Sequence, residues 1–321
     1  MPFIIISVEE NAIIMKSAIL FLIFKRVDTT KRVFERIREA QPKKLYIAAD
    51  GPREGIPDEK KKCEETRKLV EVIDWPCEVH RLYREENLGC GKGVSSAITW
   101  FFEHEEQGII IEDDILAHID FFTYCDEMLD RYKDDNRIQL IAGRNAFYKG
   151  YESPYSYYMS SLFHIWGWAS WRRVWNTYEF DSSKLSAEKF ADNIIRRTLP
   201  PKTIIYWKEL FNVMQTKPID TWDYQLYFNE IINGRYSIIP YVNMTENLGF
   251  GSIEATHTKG IKATEVNHIA QSPYPLKHPD DFYENANSDA VFAKNFGFLK
   301  GSIYDKYVNK AKRAIYRVIH F

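Results

Sequence analysis

The chain contains little cysteine and no long apolar run. Its 321 residues include only four cysteines, which show no paired metal-ligand spacing: Cys63, Cys77, Cys90 and Cys125. Isolated thiols fit a reducing compartment, so the sequence predicts a cytoplasmic protein without disulfide bonds. No apolar stretch approaches the roughly 20 residues that a membrane-spanning helix needs.

Neither sign of charge is in excess, and no common nucleotide-binding fingerprint is present. The chain carries 43 basic and 45 acidic residues, a net charge of −2, which argues against a general nucleic-acid binder. Its glycines fit neither the P-loop nor the dinucleotide-binding pattern, and internal repeats are lacking. With 45% hydrophobic and 15% aromatic residues, the composition predicts a globular protein with one large core or two smaller ones.

The most informative segment is an apolar run that ends in acids. Residues 108–111 are mostly β-branched and are followed by Glu112, Asp113 and Asp114. Three adjacent carboxylates repel one another, so burying them is unfavourable unless a cation offsets the repulsion. Their hard oxygen atoms suit Mg²⁺ or Mn²⁺, with substrate phosphates completing the ligand shell. The alternative is an acidic loop that follows a core strand.

Strand and helix patterns alternate through the first half of the chain. Segments with helical spacing separate the apolar, strand-like runs at 18–24, 45–49, 77–83, 108–112 and 138–142. This alternation predicts an α/β fold, with a mostly parallel, Rossmann-like sheet and helices on both faces.

Polar residues follow four of these strands. Lys25 and Arg26 follow the first strand, Asp50 the second and Arg84 the third, while the acids follow the fourth. The ends of parallel strands lie at one edge of a sheet, so these loops are expected to form one crevice. The cations suit a diphosphate, and Asp50 can accept hydrogen bonds from a base or ribose; alternatively, Asp50 is a turn residue before Gly-Pro. Lys92 is a further predicted ligand-binding cation, and the glycines at 89, 91 and 93 beside it allow backbone N–H groups to approach an anion at a helix N-terminus.

Four segments taken together resemble a known enzyme family. They are residues 24–30 (Phe-Lys-Arg-Val-Asp-Thr-Thr), 49–53 (Ala-Asp-Gly-Pro-Arg), 84–92 (Arg-Glu-Glu-Asn-Leu-Gly-Cys-Gly-Lys) and 111–114 (Ile-Glu-Asp-Asp). The chain, over about residues 15–260, resembles the GT-A glycosyltransferases, which are nucleotide-diphospho-sugar transferases. It is most similar to glycosyltransferase family 2 and to the N-acetylglucosaminyltransferase I type. The resemblance implies that Asp114 holds Mn²⁺ or Mg²⁺, with Asp113 and Glu112 in support, and that Asp50 recognises the uracil of a UDP-sugar.

Aromatic residues are concentrated in the second half, where they can pack against sugar rings. Trp166, Gly167 and Trp168 are predicted to form a wall of the site, because the glycine allows close approach of a ligand or of backbone. Trp168, Trp171 and Trp175 lie three and four residues apart, a spacing typical of a helix that buries one face. Core packing is therefore the favoured interpretation for Trp171 and Trp175.

Asp223 is the predicted catalytic base. It lies at the start of a predicted helix, next to Trp222, which we assign to the substrate-binding residues. Direct displacement at the anomeric carbon requires proton removal from the acceptor hydroxyl, on the side opposite the leaving UDP. In the inverting transferases that the chain resembles, an acid near the start of such a helix has this role. Asp220 is the reserve candidate, and a favourable interaction with the helix dipole is the alternative role for Asp223.

Further predictions concern the late loop and the two ends of the chain. His257 resembles the late histidine that completes the metal or diphosphate site in many GT-A enzymes; a surface histidine is the alternative. Residues 266–321 are predicted to form a strap and a basic amphipathic helix, which either docks on the domain or contacts the inner face of an anionic membrane. Residues 1–14 are an N-terminal extension, either an extra strand or a leader before a start at Met15.

The resemblance also divides the chain and implies an activity. Residues 15–145 are predicted to bind the nucleotide-sugar, and residues 146–265 to bind the acceptor and supply the base. The implied reaction is metal-dependent, inverting transfer of a sugar from a UDP-linked donor to a glycan or lipid-linked acceptor, as in polysaccharide biosynthesis. A retaining mechanism stays open. The alternatives are a sugar-phosphate nucleotidyltransferase, which needs a glycine-rich basic loop after the first strand, and a non-catalytic carbohydrate- or nucleotide-binding protein.

Overall fold

A large mixed sheet forms the centre of the protein. The computed structural model describes residues 15–145, 153–217, 219–249, 269 and 274–295. The N-terminal extension, His257 and the predicted C-terminal helix therefore lie outside the described residues. The strands are β1 Ala18–Ile23, β2 Lys44–Ala49, β3 Glu78–Tyr83, β4 Gln107–Glu112, β5 Ile115–Ala117, β6 Ile138–Ala142, β7 Tyr157–Ser160, β8 Trp168–Trp171, β9 Tyr236–Pro240 and β10 Thr245–Asn247. The helices are α1 Val27–Ala40, α2 Glu59–Leu69, α3 Gly89–His104, α4 Ile119–Tyr132, α5 Arg172–Trp175, α6 Ala187–Ile194, α7 Pro201–Thr216, α8 Asp223–Ile232 and α9 Ala286–Asn295.

Eight strands pair in the order β3-β2-β1-β4-β8-β6-β9-β7, while β5 and β10 form a separate two-stranded ribbon. The first four strands in this order pair in parallel, as the alternating pattern predicts. β8 runs antiparallel to both β4 and β6, and β7 runs antiparallel to β9. The fold is thus mixed α/β with a mostly parallel central sheet, and the ends of β1 to β4 lie at one edge.

Alternate residues of the central strands face two different cores. In β1, Ile19, Phe21 and Ile23 join the cluster that contains residues of α1 and α4, while Leu20 and Leu22 join the cluster that contains α3. Strands buried on both faces favour continuous apolar sequence, which is the pattern of β1. A third cluster, built from α6, α7 and α8, includes Phe190, Trp207 and Phe228, so the second half adds a helical core of its own.

The tryptophan spacing does not reflect one helix, contrary to the sequence prediction. Trp168 and Trp171 are the first and last residues of β8, and only the short α5 that follows is helical, ending at Trp175. Three residues apart on a strand, Trp168 and Trp171 point to opposite faces and belong to different core clusters. All three side chains are buried, so core packing of Trp171 and Trp175 is confirmed.

The sheet crosses the predicted boundary between the two halves at residue 145. β6 precedes this boundary, yet its neighbours β8 and β9 follow it. The division into nucleotide-binding and acceptor-binding parts is therefore a proposal about function within one continuous sheet. No helix in the described part of the chain is both long and apolar enough to cross a membrane.

Candidate functional site

The acid segment at the end of β4 is tied to the end of β1. Asp113 accepts hydrogen bonds from the backbone N–H of Phe24, at 3.1 Å, and from Nη1 of Arg26, at 2.8 Å. The same guanidinium nitrogen lies 3.0 Å from Oδ2 of Asp114. Both aspartates are buried, and Arg26 is half-buried. Two strand ends that the sequence analysis expected to converge are thus joined by one ion-paired cluster.

The pKa values in this cluster are shifted as burial and repulsion require. Burial, followed by repulsion from Asp114 and Asp113, raises the pKa of Glu112 to about 8. Burial, followed by repulsion from Asp113, raises the pKa of Asp114 to about 6. Burial opposes the charge of Arg26, but its attraction to the two aspartates raises its pKa overall. The single arginine therefore opposes burial and repulsion only in part, and the pKa values of Glu112 and Asp114 stay above their ordinary values.

The ribbon of β5 and β10 brings a second segment against Asp114. The backbone N–H of Leu248 donates to the carbonyl of Asp114 at 2.7 Å, just beyond β10. A Cβ atom at Gly249 would lie only 2.5 Å from Oδ2 of Asp114, so the absence of a side chain permits this approach. The segment that leads to His257 thus starts beside the predicted metal-binding acid, although His257 itself lies outside the described residues.

The donor atoms at this corner fit a hard divalent cation. No group of three or more His, Cys, Asp or Glu side chains in the described ranges is arranged to hold a metal. Two neighbouring carboxylates with shifted pKa values and a glycine cradle are nevertheless present. Mg²⁺ and Mn²⁺ bind in this manner, through one or two carboxylates with phosphates and water in the remaining positions. Of the two aspartates, Asp114 would be the better placed to hold such an ion, because both oxygens of Asp113 already accept hydrogen bonds, from Phe24 and from Arg26.

Lys25, predicted as a diphosphate ligand, is paired with a carboxylate that the sequence analysis missed. Its Nζ donates to Glu59, a buried residue in the first turn of α2. Glu59 also accepts from the backbone N–H of Arg53 at 2.8 Å and from the Arg53 guanidinium. Arg53, together with Lys25, lowers the pKa of Glu59 to about 2. An acid at a helix start usually serves the helix dipole, so the position of Glu59 in the sequence gives no sign of this ion pair.

Asp50 holds the turn that precedes α3, and Arg84 contacts the first turns of the helix itself. Both carboxylate oxygens of Asp50 lie 3.1 Å from the N–H of Leu88, and Oδ2 also accepts from Nδ2 of Asn87 at 3.0 Å. Arg84 donates to the carbonyl of Gly93 at 3.1 Å and to the hydroxyl of Ser96 at 2.7 Å. Burial raises the pKa of Asp50 and lowers that of Arg84. These contacts match the alternative in which Asp50 stabilises a turn.

The glycine-rich start of α3 receives a carboxylate from the protein itself. Oδ1 of Asp220 accepts from the N–H of Gly91 at 2.8 Å. A Cβ atom at Gly91 would lie 2.9 Å from this oxygen and 2.9 Å from the carbonyl of Thr221, so glycine is required here for close approach. Asp220 thus takes the place that the sequence analysis gave to a phosphate. The reserve base is engaged as a helix cap, and Lys92 is exposed one residue further along.

Asp223 opens α8 and lies near the acid segment. Its Oδ1 accepts from the hydroxyl of Thr221 and from the N–H of Tyr224 at 3.0 Å. Its charge contributes to the raised pKa of Glu112 and to that of Cys90, whose pKa burial raises to about 12. The predicted base and the predicted metal-binding segment therefore lie in one region at the sheet edge. Because they are far apart in the sequence, their closeness could not be predicted from it.

The aromatic wall predicted from the sequence is mostly interior. Trp168 and Trp222 are 1% and 2% exposed and stack with ring centroids 5.8 Å apart, so they offer no surface to a sugar in this structure. Gly167 has φ of +76° and lies against Thr245, so it serves a backbone turn rather than a ligand approach. Trp166 is half-buried beneath Arg144, whose guanidinium lies 4.2 Å from its ring centroid.

Comparison with known proteins gives only distant likenesses. No family model matches the chain, and no curated protein matches it. HddC from Yersinia pseudotuberculosis is 10% identical, with a TM-score of 0.31, over 50% of this chain and 80% of that chain. UDP-glucose pyrophosphorylase complexed with UDP-glucose is 11% identical, with a TM-score of 0.31, over 51% of this chain and 79% of that chain. Likenesses at this level carry no argument about fold or activity. The class of the chain, mixed α/β with a large, mostly parallel central sheet, rests on its own strand pairing.

Proposed function

We propose that the protein is a metal-dependent glycosyltransferase that uses a nucleotide-diphospho-sugar and inverts the anomeric carbon. The observation that carries this proposal is the position of Asp114. Its buried carboxylate lies just beyond the end of β4, where Oδ2 is 3.0 Å from Nη1 of Arg26 and would be 2.5 Å from a Cβ atom at Gly249. The negative charge of Asp223 contributes to the raised pKa of Glu112 in the same segment. This arrangement supports a cation-dependent step and a proton-accepting step in a single crevice.

The first role proposed is stabilisation of the leaving group. Asp114, with Glu112 and with His257 from the family resemblance, would hold Mn²⁺ or Mg²⁺. The ion would neutralise the negative charge that develops on the departing nucleoside diphosphate. The buried, repelling carboxylates are suited to this because a divalent cation relieves the repulsion among them.

The second role proposed is proton removal from the acceptor. Oδ1 of Asp223 is fixed by Thr221 and Tyr224, and no hydrogen bond from a described residue reaches Oδ2. Oδ2 is thus available to accept the proton of an acceptor hydroxyl as its oxygen attacks the anomeric carbon and the bond to the diphosphate breaks. Asp220 is a weaker candidate because its carboxylate caps α3. A glycan or lipid-linked acceptor is the proposed partner.

A thermal-shift screen with UDP-, GDP- and dTDP-sugars, with and without Mn²⁺, tests this proposal. Asp114→Asn should lose the Mn²⁺-dependent shift, because the neutral amide is a poor ligand for a hard cation. Asp223→Asn should keep that shift and lose turnover by about 10²-fold or more. Equal nucleotide-sugar affinity in the wild type and in Asp114→Asn refutes the metal assignment. The anomeric configuration of the product, read by NMR, separates inversion from retention.

A sugar-phosphate nucleotidyltransferase is the second candidate. One of the distant structural likenesses is to a UDP-glucose pyrophosphorylase, an enzyme of this class. Against it, residues 24–28 after β1 contain no glycine, and the cations Lys25 and Arg26 are paired with Glu59 and with the aspartates. Release of pyrophosphate from a nucleoside triphosphate and a sugar 1-phosphate would favour this candidate. Nucleotide-sugar binding without either reaction, over a broad acceptor panel, would favour a non-catalytic binding protein.

A further inference from the structure

Arg26 occupies the position from which a cation would approach the acid pair. One nitrogen, Nη1, bridges Oδ1 of Asp113 at 2.8 Å and Oδ2 of Asp114 at 3.0 Å. Arg26 is the residue that immediately precedes α1, so the guanidinium extends from the loop between β1 and that helix. The bridge therefore joins a loop side chain to two acids at the end of a rigid strand.

A divalent cation and the Arg26 guanidinium would compete for the carboxylate of Asp114. Both seek the same carboxylate oxygens, and their positive charges repel each other at such short range. Asp113 is less affected, because its other oxygen is held by the N–H of Phe24. A Cβ atom at Gly249 would lie only 2.5 Å from the same Oδ2, so the backbone at Gly249 also restricts the space around this oxygen. Competition between the two cations is thus concentrated at Asp114.

A diphosphate offers the guanidinium an alternative partner. Arginine binds phosphate oxygens through a planar fork of N–H donors, and a loop side chain can turn to them without moving the sheet. Lys25 is less available for this role, because it is paired with the buried Glu59. Arg26 is therefore the nearby cation that can leave the acids when an anionic ligand arrives.

We propose that Arg26 is the resident counter-ion of Asp113 and Asp114, that it competes with the divalent cation for Asp114, and that the donor's diphosphate draws it away. This inference rests on the proposed function and adds an order of events to it. The metal ion binds weakly before the diphosphate and tightly with it, since the anion removes the competing guanidinium. Arg26 is in this view a positioning residue that couples the two ligands.

The test measures each ligand alone, so that the coupling partner is absent. Mn²⁺ binding is followed by electron paramagnetic resonance without nucleotide, and inorganic pyrophosphate binding by calorimetry in EDTA. Arg26→Gln should bind Mn²⁺ about tenfold more tightly than the wild type, because the competing charge is removed. The same variant should bind pyrophosphate about tenfold more weakly, because a phosphate ligand is lost. Arg26→Lys keeps a positive charge and should stay much closer to the wild type in its Mn²⁺ affinity.

Control variants separate this inference from a structural defect and from the proposed function. Arg36→Gln removes the same charge from α1, where the partly exposed Arg36 pairs with Glu39, and should change neither affinity. If Arg26→Gln binds both Mn²⁺ and pyrophosphate more weakly than the wild type does, the competition is contradicted and Arg26 has a purely structural role. If Asp114→Asn loses Mn²⁺ but Arg26→Gln gains no affinity for it, the metal site stands and the competition is refuted. If Asp114→Asn binds Mn²⁺ as the wild type does, the proposed function fails, and this inference fails with it.

Discussion

Glu230 provides a stability prediction that is independent of the proposed activity. It lies in α8, its side chain is completely buried, and its Oε2 accepts a hydrogen bond from the hydroxyl of Ser237. Burial raises the pKa of Glu230 from 4.5 to about 8, against the smaller opposing effects of Arg197 and Ser237. The folded protein therefore keeps this proton over a pH range in which the unfolded chain has lost it. The stabilisation from Glu230 is fully present below pH 4.5 and is lost as the pH rises through about 8.

The size of the effect follows from the pKa difference. A single group changes the free energy of unfolding by at most about 1.4 kcal/mol per pH unit. Across the interval from 4.5 to about 8, the total is at most about 5 kcal/mol. Glu230→Gln keeps the shape and removes the titration, so its stability relative to the wild type should rise steadily with pH over this interval.

Urea unfolding of the wild type and of Glu230→Gln, at pH values from 5 to 9, measures this difference. Glu71→Gln removes a negative charge from the surface and controls for the change in net charge. A difference between wild type and Glu230→Gln that is flat with pH would show that the carboxyl group is ionised in the folded protein, and would refute the reasoning.

Three further predictions concern residues around the candidate site. Asp220→Ala should lower the free energy of unfolding by about 1 kcal/mol, because α3 loses its cap. Asp220→Asn keeps a hydrogen-bond acceptor and should lose less stability. Equal unfolding curves for the wild type and these two variants would contradict the capping role. Gly249→Ala should weaken Mn²⁺ binding about tenfold or more, because the new Cβ would displace Oδ2 of Asp114. Electron paramagnetic resonance of Mn²⁺ measures this loss of affinity. Trp168→Ala should lower the free energy of unfolding by about 3–5 kcal/mol, as expected for a core residue. If Trp168→Ala instead unfolds like the wild type while sugar binding is lost, Trp168 forms a site wall after all.

The secondary structure of the first half could be predicted because its signals are local. The observed β1, β2, β3 and β6 begin and end within one residue of the sequence predictions. Apolar strands buried on both faces and amphipathic helices carry their patterns within a few residues. The tryptophans of β8 show the limit of this approach, because spacings of three and four residues are compatible with a strand followed by a short helix. The tryptophans lie on a strand because β8 pairs antiparallel between β4 and β6, and this pairing depends on segments that are distant in the sequence.

The residues that form the candidate site could be predicted in outline, but the partner of each charged side chain could not. The convergence of Arg26 and Asp113 follows from the parallel order of β1 and β4, which the alternation predicts. The cap formed by Asp220 on Gly91 joins residues 129 positions apart, and no local pattern marks it. Whether a cation such as Arg26 faces a ligand or a neighbouring acid likewise depends on side-chain geometry. Residue types therefore indicated the chemistry of the crevice, and the fold determined which groups neutralise each other.

The place of β8 in the sheet has a consequence for how the chain can be divided. A fragment ending at residue 145 would contain β6 without the strands on either side of it, β8 and β9. A fragment starting after residue 145 would contain those two strands without the partner that separates them. Neither fragment could complete its backbone hydrogen bonding alone, whereas a mixture of the two could restore the missing ladders by reassembly. The protein is thus a folding unit whose two parts are complementary rather than autonomous.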